Sequence, residues 1–335
     1  MAFENSSGVS IEDLTMSQVS KDFFFDGMVL PVTVYLKMKV DHYLVLGNKG
    51  EKSKFSNFQS YKNAHSSVYV AILDLPILIN YVTTMTEKAV QHKTLPDGLK
   101  ARFMVGLASN ALQCFDKKGF ASLVELQRVS NLVLGLGKTV SNFNDILNIL
   151  RDLKEDEAKY AMATSMVSVM LCEEMDINLK GAVEKVALGA LLIDIGLRYL
   201  PKALLERPRH LWSPADNALY ETHPAKGVEM LRDLKDVSSD VLLIVAEHHE
   251  NAIGTGFPKR VRDLKISPLS RIVIVASYYT SLIFNSRSEG VAYDSDQAIS
   301  YMNDILGQPF NKQVFLGLKN IINRAHLQKK MGQAV

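Results

Sequence analysis

The sequence predicts a mainly α protein preceded by a small α+β unit. Two observations carry that reading. Strand-type alternation is confined to roughly the first 90 residues. Beyond Gly98 the apolar residues recur at helical spacing almost to the C-terminus. A length of 335 residues also exceeds one ordinary core and favours more than one domain.

The elements follow in order. Residues 1–20, rich in Ser, Glu and Asp, read as a flexible arm or a weak first helix. Leu30 to Met38 alternates apolar and polar residues, as a half-buried strand does. Tyr43–Leu46 is a second strand candidate, Gly47–Gly50 a turn, and Ser67–Ala71 a third strand. A helix is expected from about Leu75 to Val90. Thr94-Leu95-Pro96-Asp97-Gly98 punctuates the chain, so the expected division is a module over 1–95, a helical linker over 96–150 and a helical domain over 151–335. Within the last, helices are expected from Asn178 to Asp194, after Ser213-Pro214, over Val241–His249 with Ser239 or Asp240 as cap, and after Ser267-Pro268. Two more follow, one capped by Ser295 and one by Asn311.

A net charge of +2 gives no basic stripe for nucleic acid and no anionic-membrane anchor. The longest apolar runs, such as Ile272–Ser277, are too short to span a bilayer. Cys114 and Cys172 lie in apolar surroundings with no C-x-x-C, which excludes a zinc knuckle and a disulfide framework. The first 26 residues lack a basic start and apolar run, so a cytoplasmic protein is expected.

Three motifs stand in order in the C-terminal half. Ile193-Asp194-Ile195-Gly196 ends an apolar helix. Glu221-Thr222-His223-Pro224 comes next. His248-His249-Glu250 then runs into Gly254-Thr255-Gly256-Phe257-Pro258. Together they resemble the HD-GYP family over residues 150–310. The resemblance implies an HD-type helical bundle whose histidines and carboxylates hold two or three ions of Fe, Mn or a similar metal. Those metals activate a water against the phosphodiester of cyclic di-GMP.

The departures concern the metals. The histidine of the name-giving pair is Ile193, and the following lysine is Leu197. No histidine lies between His92 and His210, where an upstream ligand belongs near residue 161. The late aspartate is Ser277, the acid of the glycine turn is Ile253, and its tyrosine is Phe257. What survives is Asp194, His223, His248 and His249, with Glu157 as an outer acid. The set reads as vestigial and no cofactor is expected; if one is held, it is a single Fe, Mn, Ni or Zn ion. Asp194 and His223 equally suit plain helix-end roles. Arg198, Lys202, Gly254, Gly256, Phe257, Arg271 and Arg287 are the candidates for holding a dinucleotide, and both glycines are expected at positive φ.

Three functions are consistent with this pattern. The first is a catalytically inactive member acting by binding, with a signalling protein such as a diguanylate cyclase or a motility component as partner. The second is a cyclic di-GMP receptor without catalysis. The third is a phosphodiesterase with a reduced metal site.

Overall fold

A computed structural model describes residues 15–19, 23–39, 42–54, 68–91, 97–137, 157–177, 179–284, 292–305 and 308–332, with the isolated positions 147, 150 and 151. The chain forms two compact units, divided between Asn110 and Ala111. That point lies inside a helix, some fifteen residues beyond the Pro-Gly punctuation.

The first unit contains a four-stranded antiparallel sheet in the order β1-β4-β2-β3, with β1 Met16–Val19, β2 Val34–Lys39, β3 His42–Gly47 and β4 Val68–Ala71. Strand β1 corrects the expectation of an arm or helix over residues 1–20, of which 1–14 lie outside the described residues. Its four residues pair with β4, Met16 opposite Ala71 and Val19 opposite Val68. So short a segment has no strand signal of its own, and the pairing comes from a strand about fifty residues away. Helix α1 (Leu75–Gln91) follows, burying Leu75, Leu78, Ile79 and Val82.

Helix α2 (Asp97–Gly137) leads to the bundle. Its elements are α3 (Glu157–Glu174), α4 (Lys180–Leu192), α5 (Lys202–Leu205), α6 (Pro214–Tyr220), α7 (His223–Leu231), α8 (Ser239–Glu247), α9 (Pro268–Phe284), α10 (Ser295–Asp304) and α11 (Lys312–Gly332). Helix α3 is buried on nearly every side and packs on α4, α9 and α11, as expected of a helix without a polar face. Its few hydroxyls are satisfied inside the core: Thr164 bonds Thr280 at 2.8 Å, and Ser165 donates to the Ala187 carbonyl at 2.9 Å. Met162 and Met166 fill that core, and so do Tyr279 and Phe284 from α9.

The helix starts follow the sequence signals with small shifts. Ser213 forms a reciprocal capping box with Asp216, and Asn311 accepts from the Val314 N–H. Two caps sit one residue earlier than expected: Ser238 caps α8, and Asp294 caps α10 with Gln297 reaching back. Helix α4 stops at Leu192. Its expected last residue, Asp194, instead precedes a 3-10 turn over Ile195–Tyr199.

Candidate metal centre

Four side chains from three chain segments converge. Asp194 lies between α4 and the 3-10 turn, His223 opens α7, and His248 and His249 follow α8. Each offers a ligand atom within 4.8 Å of the others, the only such gathering of three or more His, Cys, Asp or Glu groups among the described residues.

The backbone makes this meeting possible. A Cβ on Gly196 would stand 2.0 Å from the His223 carbonyl oxygen and 2.5 Å from the Gly227 nitrogen. Only a glycine lets the turn carrying Asp194 lie so close on α7. Gly256 serves the His248-His249 segment likewise, since its Cβ would meet the His249 carbonyl at 2.3 Å. Gly254 has the expected positive φ of 78°, whereas Gly256 does not, so close approach and not a left-handed backbone explains the second glycine. Glu250, buried beside the site, clamps the turn by accepting the N–H groups of Lys259 at 2.6 Å and Val261 at 3.0 Å.

The geometry has the character of a ligand set. His223 Nδ1 is 2.7 Å from the Tyr220 carbonyl, and His248 Nδ1 is 2.8 Å from the Val245 carbonyl. A carbonyl only accepts, so both rings carry their proton on Nδ1 and present the Nε2 lone pair. Those two Nε2 atoms face each other at 3.1 Å, and Asp194 Oδ1 lies 3.4 Å from the first and 3.6 Å from the second. Three acceptors so placed repel unless a proton or a cation lies among them. A point equidistant from all three lies about 2.0 Å from each, and zinc takes imidazole and carboxylate donors at about 2.0–2.2 Å.

The electrostatics agree. When a proton and not a cation lies among the three, an imidazole Nε2–H donates to Asp194: burial works to raise the carboxyl, but hydrogen bonds from His223 and His248 outweigh it and hold the group well below the usual carboxylate range. Burial lowers His248, against the pull of Asp194, and so favours the neutral form that ligates. His223 and His248 are fully buried, while Asp194 and His249 are partly open to solvent. This leaves one side of the cluster accessible.

Tyr220 is a residue that sequence reading missed. Its carbonyl orients His223, its hydroxyl lies 3.4 Å from His249 Nε2, and its ring packs 4.7 Å from the His223 ring. The one available signal was its place three residues before His223, where a carbonyl can reach back to the imidazole. Phe257 stacks on His249 at 4.3 Å with the rings 24° apart, so it acts as a wall of the site.

The proposed dinucleotide cations are placed differently. Arg198 pairs with Glu157 at 3.0 Å, so the outer acid and one cation neutralise each other. Arg271 is spent on Asp263 at 3.5 Å and on the Ile266 carbonyl at 3.1 Å. Lys202 is almost fully exposed and pairs with Glu206. Arg287 lies outside the described residues. At two positions where the resemblance leads one to expect ligands, Ile193 is completely buried, and the Ser277 hydroxyl is buried without a hydrogen-bond partner among the described residues.

Residues 146–314, half of the chain, match the HD domain model. The chain belongs to the HD domain family. The HD domain protein is 29% identical over 194 residues to the cyclic di-GMP phosphodiesterase PA4108 of Pseudomonas aeruginosa, across 57% of this chain and 46% of that one. It is 23% identical over 273 residues to the cyclic di-GMP phosphodiesterase response regulator RpfG of Xanthomonas campestris, across 78% and 70%. The HD domain protein thus spans about half the length of the first relative. Its fold matches Bd1817, an HDG"Y"P protein from Bdellovibrio bacteriovorus, with a TM-score of 0.72, 20% identity and coverage of 92% of this chain and all of that one. The resemblance to HD-GYP proteins and the mainly helical fold with a small N-terminal sheet both hold. No helix among the described residues is long and apolar enough to cross a membrane.

Proposed function

We propose that this HD domain protein is a cyclic di-GMP-responsive signalling protein built around a single divalent ion, and that it works by binding rather than by rapid hydrolysis. The observation that carries this is the triangle of His223 Nε2, His248 Nε2 and Asp194 Oδ1 around one point at ligand distance. His249 completes a four-residue set. Imidazole and carboxylate donors suit Fe, Mn, Ni or Zn. The dinucleotide is taken from what the relatives are named for.

The same residues do not fit a second ion. Ile193 fills one ligand position with apolar volume, and a hydroxyl at Ser277 is a poor replacement for a bridging carboxylate. A bound ion would supply Lewis acidity and a more acidic water. Without a second ion to stabilise both the attacking and leaving oxygens, turnover is slow. Signal output then passes to a protein partner, a diguanylate cyclase or a motility component being the type expected.

Elemental analysis of protein purified without chelator tests this. The expected result is about one equivalent of metal, lost in His223→Ala and His248→Ala, because a structural site needs about four ligands. Two equivalents together with rapid cyclic di-GMP hydrolysis would sink the proposal. The specific second reading, a slow mononuclear phosphodiesterase, is favoured by the open side of the cluster at Asp194 and His249. It predicts weak, metal-dependent hydrolysis that His248→Ala removes.

A further inference from the structure

Of the arginines expected to hold the phosphate, the two described ones, Arg198 and Arg271, are paired with carboxylates. The structure offers a different one. Arg209 opens a 3-10 turn over Arg209–Leu211, just before α6. Its guanidinium lies 4.7 Å over the Tyr220 ring and 5.5 Å from the Trp212 ring. Those two rings are 5.2 Å apart, so they form two adjoining walls beneath it. Tyr220 is the same residue whose ring lies 4.7 Å from His223 and whose hydroxyl faces His249. The guanidinium therefore stands one aromatic ring away from the metal ligands.

Three features, taken together, separate Arg209 from the other described arginines of the bundle and from Lys202. It is half-buried, whereas Lys202 and Arg260 are mostly exposed. It makes no ion pair with a carboxylate among the described residues, although its neighbour Arg207 pairs with Asp216 at 2.8 Å. It also lies over aromatic rings, and among the described residues its N–H donors meet no acceptor. A cation placed this way has already lost part of its water and most of its rotamer freedom, so an anion gains more from it than from a flexible surface lysine.

We infer that Arg209, braced by Trp212 and Tyr220, is the phosphodiester-binding residue of this site. The inference rests on the proposed function, and it names the chemistry by which the site grips its ligand. The guanidinium edge donates to non-bridging phosphate oxygens, while Trp212 and Tyr220 set its plane. Lysine at this position would keep the charge but lose the guanidinium's contact with the two rings.

The test uses the full-length, metal-loaded protein and cyclic di-GMP as probe, with binding followed by calorimetry and metal content measured in parallel. Arg209→Gln should retain wild-type metal content and bind the dinucleotide about 10- to 100-fold more weakly, the worth of one charge-assisted contact. Arg209→Lys should fall between. Arg232→Gln, exposed just past the far end of α7, should bind like wild type and exclude a general charge effect. Wild-type affinity in Arg209→Gln, beside normal wild-type binding, overturns the role of Arg209 and leaves the proposed function standing. No metal and no binding in the wild type overturns both.

Discussion

Replacing Gly196 by alanine tests how the metal centre is assembled, because the obstacle is backbone and cannot rotate away. The added Cβ would stand 2.0 Å from the His223 carbonyl oxygen and 2.5 Å from the Gly227 nitrogen, where real contacts essentially never fall below 3.0 Å. The turn and α7 must separate by about 1 Å, and overpacking of this kind costs about 1–3 kcal/mol. Asp194 rides on that turn, two residues away. Its Oδ1 would leave its present 3.4 Å from His223 Nε2, while metal sites tolerate about 0.2 Å. Gly196→Ala should therefore lower the unfolding midpoint by about 2–4 °C for each kcal/mol lost. It should also weaken metal binding at least about tenfold, the scale seen when groups that orient ligands are lost. Gly181→Ala is the control. Nothing lies within 4 Å of its Cβ, and in the first turn of α4 it should stabilise by about 0.5–1 kcal/mol. Thermal denaturation with metal titration reads both quantities. An unchanged midpoint and unchanged metal affinity in Gly196→Ala would refute the claim that glycine contact sets Asp194 against His223.

Two further outcomes follow from individual side chains. Tyr220→Phe removes the hydroxyl facing His249 but keeps the carbonyl that orients His223. It should weaken metal binding by only a few-fold, well short of the loss in His223→Ala, and a loss as large as that would make the hydroxyl itself a ligand. Cys172 is buried, and burial, with Glu173 adding to it, pushes its thiol up to about 12. In a Cys114→Ser background the folded protein should therefore resist thiol reagents at pH 8 and react only on unfolding, and rapid labelling of native protein would contradict that environment.

Much of the fold was legible in the sequence because its signals are local. Proline at the start of α6, the Ser213 and Asn311 caps and the alternation around Val34–Met38 each act within a few residues. The four convergent side chains were legible for a related reason: His248-His249-Glu250 and the glycine turn form one short motif. Strand β1 was not legible, since its partner β4 lies about fifty residues away.

What the sequence determined alone is the chemical inventory: one aspartate and three histidines within three short motifs, with the apolar Ile193 beside the aspartate. The tertiary structure decided how that inventory is spent. Arg198 and Arg271 look like phosphate ligands in sequence, yet the fold brings Glu157 and Asp263 to them from distant or separate segments. Arg209 looks unremarkable after Pro208 in the sequence, yet Trp212 and Tyr220 pack against it and, among the described residues, no carboxylate pairs with it. Charge is a property of the residue, but its availability depends on which partners the packing delivers.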